Sequence, residues 1–384
     1  MKISKNKIKL GLTVFLTYLF LFVIKNSTIY NSILDPFESS NQSFDIYDVY
    51  YKYFQSPTQN EDPDIVLFDI KDLNKSEILK NLETLISGNP KVIALDVVFE
   101  QQANSELTKN EIDSFFNKHS EKTVLAFNKN SSSSIIDIQN YPHGHIHLSS
   151  EDSYTARKIP VNFTSKNEFV PSFAEVIANK FDTSLTQDLT SNQFIYFNTK
   201  GVNNSFQTQS DGIRSFLVIN EENTEESNTL WKSRIENKIV LLGSVNNEDC
   251  LLNDKFFTPY NENLFGRSLP DMSGVQIHAN IVRMLLDKKL ITEIPIFIQI
   301  PLSIILLLFI LIFTHERKSA IDGFDLKLKT FYFIVISILF LIIILCFKSF
   351  LWRFSVDIFL IPIILLETSY EISDKIISKF LKPI

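Results

Sequence analysis

Apolar positions are distributed very unevenly along this chain. Residues 10–24 (LGLTVFLTYLFLFVI), Ile296–Phe313 and Phe331–Phe347 hold no charged residue, and a fourth run from Phe350 to about Leu366 holds only Arg353 and Asp357. A helix rises ~1.5 Å per residue, so a hydrocarbon core of ~30 Å asks for about 20 apolar residues. The pattern therefore predicts one membrane helix near the start of the chain and three near its end. Lys2, Lys5, Lys7 and Lys9 give the first run a basic start, but the following KNSTIYNS offers no small-residue cleavage site, so it reads as an uncleaved anchor. Pro301 and Pro362 fall inside the later runs. They are expected to kink their helices and free backbone groups for neighbouring helices to satisfy. Arg353 and Asp357, four apart, are expected to share a helix face and to be candidates for transmembrane signalling.

Between the runs the pattern changes. DIVLFDI (64–70), KVIALDVVF (91–99), TVLAF (123–127) and KIVLLG (238–243) are short, continuous apolar runs rich in β-branched residues, the signature of strands buried on both faces. Apolar residues recur at helical spacing over 76–87, 107–119, 171–180 and 275–286. The first of these helices starts Ser-x-x-Leu, without a full capping box. Weaker strand signals cover 145–148, 160–163 and 193–198. Strands alternating with helices predict an α/β fold: a mixed, mostly parallel sheet with flanking helices. The expected organisation is a tail and first membrane helix over 1–25, an extracytoplasmic domain over 26–292, three membrane helices over 293–368 and a short cytoplasmic tail over 369–384.

Charge orients this plan. Basic residues in short loops mark the cytoplasmic side. The four lysines at the start and Arg317, Lys318, Lys327 and Lys329 between the second and third runs place both termini inside, while Lys348 and Arg353 run against the scheme. The net charge of −7 is concentrated in the outer domain, which is acidic, whereas the remainder is basic. An acidic domain excludes nucleic acid as a partner. The two cysteines, Cys250 and Cys346, fall in different compartments, so no disulfide framework is expected.

Candidate chemistry is sparse. Asp69 and Asp96 are expected near the carboxyl ends of adjacent strands, the edge where open α/β sheets bind ligands, with Asp254 a further candidate there. Two close carboxylates would hold a cation or do acid–base work, or would simply accept from backbone amides. His143, His145 and His147 alternate, so on a strand their imidazoles would share a face; they are weak zinc candidates beside the reading of a polar strand edge. His278, at the start of the last helix of the domain, is a candidate ligand-binding residue, with the hydrogen-bonded structural role the favoured reading. GxSxG, HExxH, GxxxxGK[ST] and GxGxxG are all missing from the sequence, so no enzyme activity and no cofactor are expected.

Four stretches together resemble a known family, the second of the CHASE sensory domains. DIVLFDI and PKVIALDVVFEQ resemble its paired Asp-bearing strands. NKIVLLGSVNNEDCLLNDKFFTP resembles its later strand, Gly-Ser turn, Asp and Thr-Pro run, and MSGVQIHANIVRMLL its helix entry. Gly144-His145 stands where the family has a Gly-His strand. The order of one anchor before the domain and three helices after it matches too. After Asp69, DLNKSEI replaces the family's Trp-Pro-rich stretch. The resemblance implies a sensor of an extracytoplasmic signal in a bacterial inner membrane. Members usually continue into a kinase or cyclase, and the expectation here is no such output domain. The partners implied are then membrane lipid, a separately encoded output protein and, as in many such sensors, a second copy. The alternative is a scaffold subunit of an envelope complex.

Overall fold

The computed structural model describes residues 5–25, 45–55, 61–70, 73–97, 109–128, 140–148, 155–160, 163–165, 168–185, 193–199, 201–203, 215–224, 230–245, 255–261, 270–315 and 324–380. Asp254 and Cys250 lie outside the described residues. The chain divides into two compact units, one within Ser40–Ile291 and one from Met1–Ser39 together with Thr292–Ile384. The second unit opens with helix α1 (Lys5–Lys25).

The first unit is an α/β domain. Its elements run β1 (Glu61–Asp69), α2 (Lys75–Ser87), β2 (Val92–Leu95), α3 (Lys109–His119), β3 (Thr123–Phe127), β4 (His143–His145), β5 (Lys158–Ile159), β6 (Phe163–Ser165) and β7 (Glu168–Val170). They continue as α4 (Phe173–Phe181), β8 (Gln193–Phe194), β9 (Gly201–Asn203), β10 (Ser215–Ile219), α5 (Leu230–Ile235), β11 (Ile239–Gly243), β12 (Lys255–Phe256), β13 (Met272–Ser273) and α6 (Gly274–Leu286). Seven strands form one sheet in the order β4-β3-β2-β11-β1-β10-β9. Every pairing within it is parallel.

Why the central strands are uninterrupted apolar runs follows from their layers. Val66, Phe68, Ile93, Leu95, Leu125, Leu217, Ile219, Val240 and Leu242 pack on one face against Ile78, Leu82 and Leu85 of α2, Ile112 and Phe116 of α3, and Trp231 and Ile235 of α5. The alternate residues Ile65, Leu67, Val92, Ala94, Ile239 and Leu241 are fully buried on the opposite face, where α4 and α6 pack. At about 25 cal/mol per Å², a fully buried Leu or Ile side chain stabilises by roughly 1.5–3 kcal/mol.

Several local expectations change. Helix α2 begins earlier than its Ser76, because Asn74 caps it: the Asn74 side chain accepts from Glu77 N at 3.0 Å and Glu77 accepts from Asn74 N at 2.8 Å, a complete capping box. The strand expected at 145–148 ends at His145, and the one expected at 160–163 separates into β5 and β6. Strands β9 and β10 carry no expectation, yet β10 lies directly beside β1. Most consequentially, β11 inserts between β1 and β2.

In the second unit, α1 is joined by α7 (Ile296–His315), α8 (Phe324–Phe350) and α9 (Asp357–Phe380). Among the described residues, three helices are long and apolar enough to cross a membrane, over Asn6–Ile24, Ile296–Thr314 and Lys327–Phe350. The fourth run forms a helix too, but it starts at Asp357 and carries Glu367, Glu371, Asp374, Lys375 and Lys379. Leu307, Ile310 and Leu311 of α7 pack with Ile363 and Leu366 of α9, and Leu10 and Val14 of α1 with Phe331, Val335 and Leu339 of α8 complete the cluster.

Arg353 and Asp357 do not share a helix face, because the helix begins only at Asp357. Leu351, at φ 55°, ends α8 in the left-handed region, and Trp352–Arg353 is a two-residue strand parallel to Thr292–Glu293. Arg353 Nη1 meets Glu293 Oε1 at 3.1 Å. Asp357 stands in the first turn of α9, where a carboxylate favours the helix dipole.

Candidate functional site

Asp69 and Asp96 are not on adjacent strands, because β11 lies between theirs. Asp69 is level with Gly243, and Asp96 N donates to Leu242 O at 2.8 Å, so Asp69, Gly243 and Asp96 form a row across three strands. Asp69 is buried and its Oδ1 accepts from Val245 N at 3.0 Å, the behaviour of a carboxylate ordering a turn. Gly243 is required beneath it: a Cβ there would lie 2.8 Å from the Cβ of Val275 in the first turn of α6.

Nor do the histidines gather as a metal site. His143 Nδ1 lies 2.8 Å from Tyr141 O, while His145 and His147 stack with ring centroids 6.2 Å apart. Among the described residues no group of three or more His, Cys, Asp and Glu could hold a metal ion. His278 is buried edge-on to Phe173, with ring centroids 5.5 Å apart, and its Nδ1 has no hydrogen-bond partner among the described residues. Burial, then the neighbouring His145, lowers the His278 pKa to about 3. Burial, then His147, lowers that of His145 to about 4. Both imidazoles are therefore neutral in the folded domain.

A denser constellation lies where the segment that follows α1 in sequence and the helix that precedes α7 meet one short stretch, Gln193–Thr199. From the entry side, Tyr51 is buried against Tyr196, Phe197 and Tyr260, with ring centroids 6.0, 6.0 and 5.7 Å away. Its hydroxyl donates to Ile195 O at 3.2 Å. Tyr50 and Tyr196 hydroxyls are 3.2 Å apart, and Gln55 Nε2 donates to Phe197 O at 2.7 Å. Tyr260 donates to Phe197 O at 3.0 Å and also to Gln55 Oε1. Burial pushes the hydroxyls of Tyr50, Tyr51 and Tyr260 well above the ordinary phenol range, so all stay protonated donors. The entry turn is pinned further by Arg157, whose Nη2 meets Asp48 Oδ2 at 2.6 Å within the domain.

From the exit side, α6 holds the same stretch. Asn280 Oδ1 accepts from Asn198 N at 3.0 Å and Thr199 N at 2.9 Å, and its Nδ2 returns a bond to Thr199 O at 3.1 Å. Gln193 Nε2 donates to Ile291 O at 2.9 Å, and Asn198 Nδ2 to Asp287 Oδ2 at 3.1 Å. One turn beyond Asn280, Arg283 ties α6 to the start of β1: its Nε donates to Asp62 Oδ2 at 2.8 Å and its Nη2 to Asp64 Oδ2 at 2.8 Å. Burial opposes the Arg283 charge, but Asp62, Asp64 and Asp287 outweigh it and hold its pKa above the usual value. Spacing marked the strand 193–198 and the helix 275–286 that hold several of these residues, but not the constellation, because its members come from segments far apart in sequence. The aromatic density of YDVYYKYF (47–54) was the available signal.

The fold and this constellation define a membrane-anchored α/β domain whose entry and exit segments converge on one buried stretch. The family model of the CHASE2 domain matches residues 19–314, and the chain belongs to that family of sensory domains. No curated protein and no solved structure matches it.

Proposed function

We propose that this protein is a transmembrane sensor that passes a change in its extracytoplasmic domain through its membrane helices to a separately encoded protein in a bacterial inner membrane. The observation that carries this reading is the Gln193–Thr199 stretch, bonded at once to Tyr50, Tyr51 and Gln55 before β1 and to Asn280, Asp287 and Ile291 on the way out. A change that moves this stretch shifts both chain segments that lead to the membrane. Such a shift is limited by the differential affinity of the signal for the two arrangements. In this reading α9 is the fourth crossing, both termini are cytoplasmic, and catalysis belongs to the partner. Photo-crosslinking from exposed Ser378 of α9 in native membranes tests it. The expected result is a specific crosslinked protein whose yield changes severalfold on Gln55→Leu; a crosslink indifferent to that change supports a static scaffold and overturns the sensor.

A further inference from the structure

Proline has no N–H, so Pro362 inside α9 leaves the carbonyl four residues before it, Ile358 O, without its helical donor. That carbonyl is taken by another helix: Ser303 Oγ of α7 donates to Ile358 O at 2.7 Å, and Ser303 is fully buried. A buried backbone carbonyl left without a donor is unfavourable, so such a bond holds firmly once made.

The two sides of Pro362 are bound to different parts of the chain. Above it, Ser355 N donates to Gln299 Oε1 at 2.8 Å, Thr292 N to Leu351 O at 2.9 Å and Ile294 N to Arg353 O at 2.9 Å. These bonds and the Arg353–Glu293 pair strap the start of α9 to residues 292–299, the segment that leaves the α/β domain. Below it, Thr13 Oγ1 of α1 lies 2.7 Å from Ser373 Oγ, and Lys9 pairs with Asp374 while its ammonium sits 3.9 Å over the Tyr370 ring. Thr13 and Thr17 on α1, and Ser369 and Ser373 on α9, are all fully buried. Such small side chains at four-residue spacing let membrane helices approach closely. Helix α1 is the one that leads into the domain.

We propose that Pro362 is a hinge in α9 latched by Ser303, with the outer part of the helix tied to the domain's exit and the inner part to its entry helix. Relative movement of entry and exit then becomes a bend in α9 at Pro362, and the end of α9 near Phe380 is where the bend is read. The inference deepens the sensor reading and rests on it, but its test needs no partner.

Spin labels at exposed Asn6 on α1 and exposed Ser378 on α9, with Cys250 and Cys346 replaced by Ser, report the α1–α9 geometry in the full-length protein in nanodiscs. Ser303→Ala frees the carbonyl and is expected to broaden the distance distribution; Ser303→Thr, which keeps the hydroxyl, is expected to leave it as in the parent. Pro362→Ala restores the helical N–H, so Ser303→Ala on that background is expected to have no effect. An unchanged distribution in Ser303→Ala, or a Ser303 effect that persists with Pro362→Ala, overturns the hinge. Either outcome leaves the sensor reading standing, since that is judged by the Ser378 crosslink.

Discussion

Arg283→Met is the sharpest perturbation of the domain. The guanidinium joins α6 to the first residues of β1 through Asp62, whose side chain is fully buried, while the Arg283 side chain is 4% exposed. Removing one partner of a buried ion pair leaves a charge without compensation and costs about 3–5 kcal/mol. Asp62 Oδ1 keeps two donors, Asp64 N and Ile65 N at 3.0 Å each, which places the loss toward the lower end of that range, about 3 kcal/mol. Asp64 and Asp287 are 38% and 22% exposed, and each exposed ion pair adds ~0–1 kcal/mol. For a domain of this size ~3 kcal/mol corresponds to a fall in Tm of roughly 6–12 °C. The chain has two tryptophans, so in a Trp352→Phe background Trp231, buried in the core, reports unfolding of the α/β domain alone. Asp62→Asn combined with Arg283→Met should recover part of the loss, because the buried charge is gone. A Tm change of less than about 2 °C in Arg283→Met, or a double variant less stable than the single one, would refute this account of the pair.

Acid should weaken the domain through its buried imidazoles. Their folded pKa values, about 3 for His278 and about 4 for His145, lie below the ordinary 6.5, so the folded state binds fewer protons; the stabilisation is complete above pH ~6.5 and is lost as pH falls toward 4. Each contributes a slope of up to about 1.4 kcal/mol per pH unit, and His278→Met should flatten the denaturation midpoint between pH 6 and 4.5 by about one proton's worth; an equal slope in both proteins contradicts this. Gly144→Ala would set a Cβ 2.5 Å from Phe173 Cα, a backbone atom unable to yield, so a loss of at least 1–3 kcal/mol is expected in urea titration. Asp69→Asn keeps an acceptor for Val245 N and should cost less than about 1 kcal/mol, while Asp69→Ala orphans that amide and should cost about 1–3 kcal/mol; equal costs for the two would remove the turn-ordering role.

The alternation of strands and helices was readable because buried parallel strands are unbroken apolar runs, as in DIVLFDI and KIVLLG. The strand order was not, since nothing local in KIVLLG tells it to enter between β1 and β2. SFLVI (215–219) has the same composition as its neighbours but is only five residues long, inside a polar region whose pattern is weak. Arg353 shows how a correct spacing misleads: the four-residue interval to Asp357 assumes a continuous helix, and Leu351 turns the backbone out of one. Asp69 and Asp96 do stand at strand ends, but of strands that β11 separates, and Asp69 serves a backbone amide. The constellation around Gln193–Thr199 stayed hidden because Tyr51, Tyr196, Tyr260 and Asn280 become neighbours only after the sheet has formed. Pro362 was the reverse case, a single residue whose missing N–H announced that a neighbouring helix would donate.

The central claim is that Gln193–Thr199 couples the entry segment to the exit helix. Hydrogen exchange across residues 280–291 of the full-length protein in nanodiscs, with and without Gln55→Leu, measures this directly. Gln55 makes bonds to both Phe197 and Tyr260, and losing two bonds of about 0.5–1.5 kcal/mol each should speed exchange in α6 by roughly 5- to 160-fold, although Gln55 touches no residue of that helix in any bond described above. Faster exchange confined to the entry segment, with 280–291 unchanged, would contradict the coupling.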